Sequence, residues 1–206
     1  MTRFLLIDDD AQKGWEKVLI AVLKKEIDKE IVFESAISIE VAKNSLLHEW
    51  DLIFLDLRFG ELDHSIINPE ALTGAEILKD LIRNKRLINF ATPVITFTAS
   101  RKIWNIDKMI DLGADSYFIK ESPLQPLDES FSKANYERLI KEIRKLLHSG
   151  FARKIFWKKT ADLMHNIESK KIYPNIKKRI NEKLLIGFGL LSGTVREYER
   201  TNFLFA

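Results

Sequence analysis

The 206-residue chain contains no cysteine, which rules out a disulfide framework and a thiolate metal site and gives no sign of an oxidising compartment. No stretch approaches 18 uninterrupted apolar residues, so no transmembrane helix and no membrane insertion is expected. Acidic residues begin at Asp8, too early for a secretory signal. The expected location is therefore cytoplasmic. Histidine is scarce, and His48, His64, His148 and His165 share no metal-ligand spacing.

A hydrophobic share of 46% suits a chain that buries a core, and the length suits one full domain with an appendage. Charge is distributed unevenly. Residues 1–132 hold 16 Lys+Arg against 23 Asp+Glu, a balance of −7, and residues 133–206 hold 17 against 7, a balance of +10. An acidic module joined to a basic one is the expected organisation.

The stretch Asp51-Leu52-Ile53-Phe54-Leu55-Asp56-Leu57-Arg58 organises the rest. Its four-residue apolar run, bounded by Trp50-Asp51 and Gly60, predicts a strand buried on both faces of a parallel sheet. Asp56 then falls at the carboxyl edge, where such sheets keep their chemistry. Phe4-Leu5-Leu6-Ile7 repeats the pattern and runs into Asp8, Asp9 and Asp10. Ile31-Val32-Phe33-Glu34, Pro93-Val94-Ile95-Thr96-Phe97 and Ser116-Tyr117-Phe118-Ile119 are the other strand candidates; the last two deliver Thr98-Ala99-Ser100 and Lys120. Between the strands, apolar residues recur at helical spacing: Trp15, Val18, Leu19, Val22 and Leu23; Ile39, Ala42 and Leu46 behind a Ser38 cap; Ile77, Leu78, Leu81 and Ile82; and Ile106, Met109 and Ile110, stopped by Gly113.

Strands alternating with helices predict a five-stranded parallel sheet covered on both faces. Its carboxyl edge gathers Asp8, Asp9, Asp56, Thr98 and Lys120. Three carboxylates offer hard oxygen ligands suited to Mg²⁺ or Mn²⁺. A carboxylate can act as nucleophile in phosphoryl transfer, and a cation, an ammonium and a hydroxyl can stabilise the phosphoryl oxygens.

These pieces, together with Gly113-Ala114-Asp115 before the fifth strand and the 22-residue step from Thr98 to Lys120, resemble the receiver domain of two-component response regulators over roughly residues 3–122. The resemblance implies a doubly wound, flavodoxin-like, CheY-like sheet of order 2-1-3-4-5. It implies that Asp56 is the phosphoacceptor, that Asp9 binds Mg²⁺ (or Mn²⁺) directly with Asp8 assisting, and that the Arg58 backbone carbonyl is the remaining protein ligand. Thr98 would be the switch hydroxyl, Tyr117 the switch aromatic, and Lys120 the partner of the phosphoryl oxygens. The implied phosphodonor is a sensor histidine kinase or a phosphotransfer protein, with slow autodephosphorylation and no separate substrate. Two features depart from the family: Glu121 replaces the usual proline, and the loop 59–73 is long. That loop can lie over the site or pack to one side.

A connector over 122–132, containing Pro123 and Pro126, precedes a fifth helix at about 133–148 carrying Tyr136, Leu139, Ile140, Ile143, Leu146 and Leu147, with Ser149-Gly150 as its stop. The receiver is thus expected over 1–148 and a basic, all-helical extension, for output or oligomerisation, over 149–206. Phe156, Thr160, Leu163, Met164 and Ile167 predict another helix, and Pro174 opens a last one that Gly187, Gly189 and Gly193 bend or break. The apolar stripe flanked by Lys170, Lys171, Lys177, Lys178 and Arg179 suits binding to a protein partner or to a second copy. Nucleic acid is the alternative, as in a DNA-binding transcription regulator, but little aromatic interleaving supports it. A phosphohydrolase with an aspartate nucleophile would need a second acid two residues after Asp56, where Arg58 stands.

Overall fold

The computed structural model describes residues 1–60, 63, 65–84, 87–99, 103–120 and 129–192, with side chains omitted for 103–106, 129–132 and 188–192. The chain divides into two compact units, Met1–Gly150 and Phe151–Ala206. The first is built on five parallel strands: β1 (Thr2–Ile7), β2 (Ile31–Ala36), β3 (Leu52–Leu55), β4 (Val94–Thr98) and β5 (Ser116–Ile119), in the order β2-β1-β3-β4-β5.

Strand pleating explains the continuous apolar runs. Successive side chains point to opposite faces, and both faces are covered. Phe4, Leu6, Leu52, Phe54, Ile95, Phe97 and Phe118 face one side, where they meet Trp15, Leu19 and Leu23 of α1 (Trp15–Glu26) and Leu139, Ile140, Ile143 and Leu146 of α5 (Glu129–Ser169). Leu5, Ile7, Ile53, Leu55 and Val94 face the other. There they meet Ala42 of α2 (Ile39–Ser45), Ala75 of α3 (Thr73–Glu76) and Met109 of α4 (Ile103–Asp111). Ser38 caps α2 by accepting the Val41 N–H at 3.2 Å, and Gly113, at φ +106°, ends α4.

The third helix does not run as a plain α-helix. After Glu76 it widens into a π-helical stretch, Ile77–Ile82, closed by the Arg83 N–H on the Leu78 carbonyl at 2.7 Å. The Arg83 guanidinium donates to the carbonyls of Gly113, Phe90 and Thr92 and lies 2.8 Å from the Asp115 carboxylate. Asp115 also accepts the Val94 N–H, so this half-buried pair joins the end of the third helix to the starts of β4 and β5.

The stop expected at Ser149-Gly150 is absent: α5 runs unbroken from Glu129 to Ser169 and includes the residues assigned to a separate helix. A helical glycine costs roughly 1 kcal/mol against alanine, but here a side chain has no room. A Cβ on Gly150 would overlap the Pro93 ring. Gly150 therefore marks a close approach within the first unit, which sequence spacing cannot tell from a terminator. The same helix starts inside the expected connector, whose residues 121–128, with Glu121, lie outside the described residues. In the second unit, α6 (Pro174–Ser192) opens at its proline as expected and continues through Gly187 and Gly189 without a break; Gly193 lies outside the described residues.

Candidate functional site

Parallel pairing sets the ends of the strands level. Ile7 is in register with both Ala36 and Leu55, so the next residues, Asp8 and Asp56, emerge side by side; the Asp56 N–H donates to the Ile7 carbonyl at 2.8 Å. Thr98 is in register with Ile119, and the Lys120 N–H donates to the Thr98 carbonyl at 2.7 Å. These two steps bring Lys120 to the acids. Its ammonium lies 2.5 Å from Asp56 Oδ2 and 3.0 Å from Asp8 Oδ2. Asp8 is fully buried and Thr98 nearly so. The exposed Asp9 completes the acid set: one carboxylate oxygen from each of Asp8, Asp9 and Asp56 lies within 4.8 Å of the others.

Burial dominates the electrostatics. It pushes the Asp56 carboxyl up to about 7, against the pull of Lys120 in the other direction. Burial likewise raises Asp8, again opposed by Lys120. For Lys120, burial works against the charged form, but the attraction of Asp56 and then Asp8 outweighs it, and the ammonium is held above its ordinary range. Two buried acids thus share one cation. A second positive charge would complete the balance, and the donors are all hard carboxylate oxygens, which fits a divalent ion such as Mg²⁺ or Mn²⁺ held partly through water.

The long loop meets the site at its start. The Gly60 N–H donates to Asp9 Oδ2 at 2.8 Å, and the Arg58 N–H faces Asp56 Oδ1 at 3.4 Å. The Arg58 guanidinium turns into the loop instead, donating to the carbonyls of Asp63 and Ile66. Farther along, Glu70 pairs with Lys108 of α4. Gly74 closes the loop against the Asp56-Leu57 backbone, so tightly that a Cβ there would overlap both carbonyl oxygens.

Tyr117 is half-buried on β5, next to Thr96 in register, and Arg138 of α5 holds it. Ser100 lies outside the described residues. Asp10 pairs with Lys13 at 2.8 Å and donates its N–H to Asp8 Oδ1.

Three contributors were not legible in the sequence. Asp63 is buried and accepts N–H groups from Phe59 and Thr73. Arg138 has no motif around it. The Gly60 N–H is a backbone group, for which no residue type is a signal, although a glycine beside a site in a long loop is a reason to look.

No family model matches the chain, and no curated protein matches it. Solved structures do. The response regulator domain of CheB from Thermotoga maritima aligns with a TM-score of 0.51 at 20% identity, over 72% of this chain and 97% of that domain. A two-component response regulator from Clostridium difficile aligns at 0.47 and 23%, over 68% and 97%. The receiver domain of the Francisella response regulator 1452 aligns at 0.47 and 22%, over 72% and 98%. The first of these establishes the fold: this chain has the architecture of a response-regulator receiver domain, followed by helices.

Proposed function

We propose that this receiver fold works as a phosphoryl-accepting switch, with residues 1–148 as the receiver and Asp56 as the acceptor. The observation that supports this most directly is the convergence of Asp8, Asp9, Asp56 and Lys120, from three strand ends, on one point. A structural ion pair needs two of these groups, not four.

An ionised Asp56 oxygen attacks the phosphorus of a phosphohistidine on a histidine kinase or phosphotransfer protein. The P–N bond breaks, the imidazole nitrogen keeps the electron pair, and an acyl phosphate forms on Asp56. Lys120 lies close enough to transfer its contact from the carboxylate to a phosphoryl oxygen. A divalent cation held by Asp9, Asp56 and the Arg58 carbonyl, with Asp8 through water, would supply charge neutralisation at the other phosphoryl oxygens. Thr98, beside Lys120 at the end of β4, supplies the switch hydroxyl, and Tyr117 follows it. Slow attack of water on the phosphorus returns the aspartate.

The helices from Phe151 onward are read as the output or oligomerisation module, binding a protein partner or a second copy. Their described residues expose Phe151, Ile155, Phe156, Leu163 and Ile176.

A phosphodonor assay with Mg²⁺ tests the reading. Wild type should be labelled with acid-stable, base-labile phosphate, and Asp56→Asn should not; equal labelling of the two would defeat it. DNA affinity that falls steeply with salt would move the output to nucleic acid.

A further inference from the structure

The geometry points to Asp63, in the long loop, as a positioning residue that aims the Arg58 carbonyl at the cation; this rests on the receiver reading above. The segment 58–60 presents its amide groups alternately. The N–H groups of Arg58 and Gly60 face the acids, on Asp56 Oδ1 and Asp9 Oδ2. The N–H of Phe59, between them, faces away and donates to Asp63 Oδ2 at 2.7 Å. No cis peptide bond is present among the described residues, and in a trans peptide the N–H and C=O groups point in opposite directions. The carbonyl in the same plane as the Phe59 N–H belongs to Arg58. Fixing that N–H on Asp63 therefore directs the Arg58 oxygen toward the side occupied by Asp56 and Asp9.

Asp63 is built to hold that plane still. It is 2% exposed, and both of its oxygens are engaged. Oδ2 also accepts the Thr73 N–H at 3.1 Å, and Oδ1 accepts the Thr73 hydroxyl at 3.1 Å. Its own backbone carbonyl accepts from the Arg58 guanidinium. The acid thus grips Arg58 through its side chain's partner peptide and through its main chain, and anchors both to the start of α3. A buried carboxylate with charge-assisted bonds is stiffer than a solvated turn, and groups that orient a metal ligand typically govern affinity by 10–100-fold.

The test is calorimetric titration of the full chain with Mg²⁺. Asp63→Ala should bind it about tenfold or more weakly than wild type. Asp63→Asn should stay near wild type, because the amide oxygen can take the place of Oδ2 while the NH₂ donates to the Thr73 hydroxyl. Thr73→Val removes only the Oδ1 contact, so it should lower Tm and leave Mg²⁺ affinity unchanged. Should Asp63→Ala fail to fold, amide exchange on metal-free wild type decides: Phe59 should be protected, and rapid exchange there would overturn the inference. So would Asp63→Ala matching wild type, or Thr73→Val losing as much affinity as Asp63→Ala. A wild type that binds no Mg²⁺ at all would instead bring down the receiver reading, and this inference with it.

Discussion

Arg138 grips Tyr117 from three directions. One guanidinium nitrogen donates to the phenol oxygen at 3.1 Å, another to the Tyr117 backbone carbonyl at 2.8 Å, and the guanidinium carbon stands 4.2 Å from the ring centroid. The phenol is thereby held at the β5–α5 surface.

Removing that grip should ease the inward movement proposed for Tyr117. An exposed cation–π contact is worth roughly 0.5–1 kcal/mol, a twofold to fivefold change in population. Arg138→Ala should therefore shift the Tyr117 ring resonances toward the phosphorylated position before any phosphodonor is added. It should also raise the rate of labelling by a small acyl phosphate within that range. Unchanged ring resonances would show that the grip does not restrain the ring.

The Asp56 carboxyl sets a pH dependence. Burial lifts it to about 7, with Lys120 opposing, from an unfolded value of about 4. Between these values the folded chain binds more protons than the unfolded one, so stability without metal falls as pH rises through 7. Asp8, raised for the same reason, adds to the fall. Tm measured with a chelator from pH 5 to pH 8 should drop for wild type and drop less for Asp56→Asn. Mg²⁺ should restore much of the wild-type loss. Parallel slopes for the two proteins would exclude Asp56 as the cause.

Gly74 leaves no space for a side chain over the Asp56-Leu57 backbone. Backbone cannot turn aside as a flexible side chain does, so Gly74→Ala must push α3 outward. Chemical unfolding should show a loss of about 1–3 kcal/mol, with labelling of Asp56 slowed as well. A neutral substitution would mean that the helix start yields freely.

Arg83 and Asp115 form the half-buried pair at the opposite end of the sheet from the acid site. Arg83→Ala takes the guanidinium from Asp115 and from three carbonyls at once. Breaking such a pair costs about 3–5 kcal/mol, and denaturant midpoints should move accordingly. Mg²⁺ affinity should be nearly unaffected at temperatures where the variant stays folded, because the site lies across the sheet.

Asp63 and Gly150 show where sequence reading ends. Asp63 sits in a loop with no periodicity, and its importance comes from three hydrogen bonds to Phe59 and Thr73, which only folding brings within reach. Gly150 has two readings in a sequence, helix stop and close contact, and only the position of Pro93 separates them. The π-helical turn before Arg83 is equally silent, since its residues have the same apolar spacing as a plain helix.

The amino-acid order alone determined the alternation of strands and helices, the two-sided burial of β1 and β3, and the placing of Asp8, Asp9, Asp56, Thr98 and Lys120 at strand ends. These follow from local periodicity and from side chains seeking apolar surroundings, both written residue by residue. The tertiary structure decided which N–H meets which carboxylate around the loop, where Arg138 and Arg83 reach, and that α5 passes through its glycine. Those outcomes depend on distances between segments far apart in the chain, and such distances exist only once the sheet has closed its register.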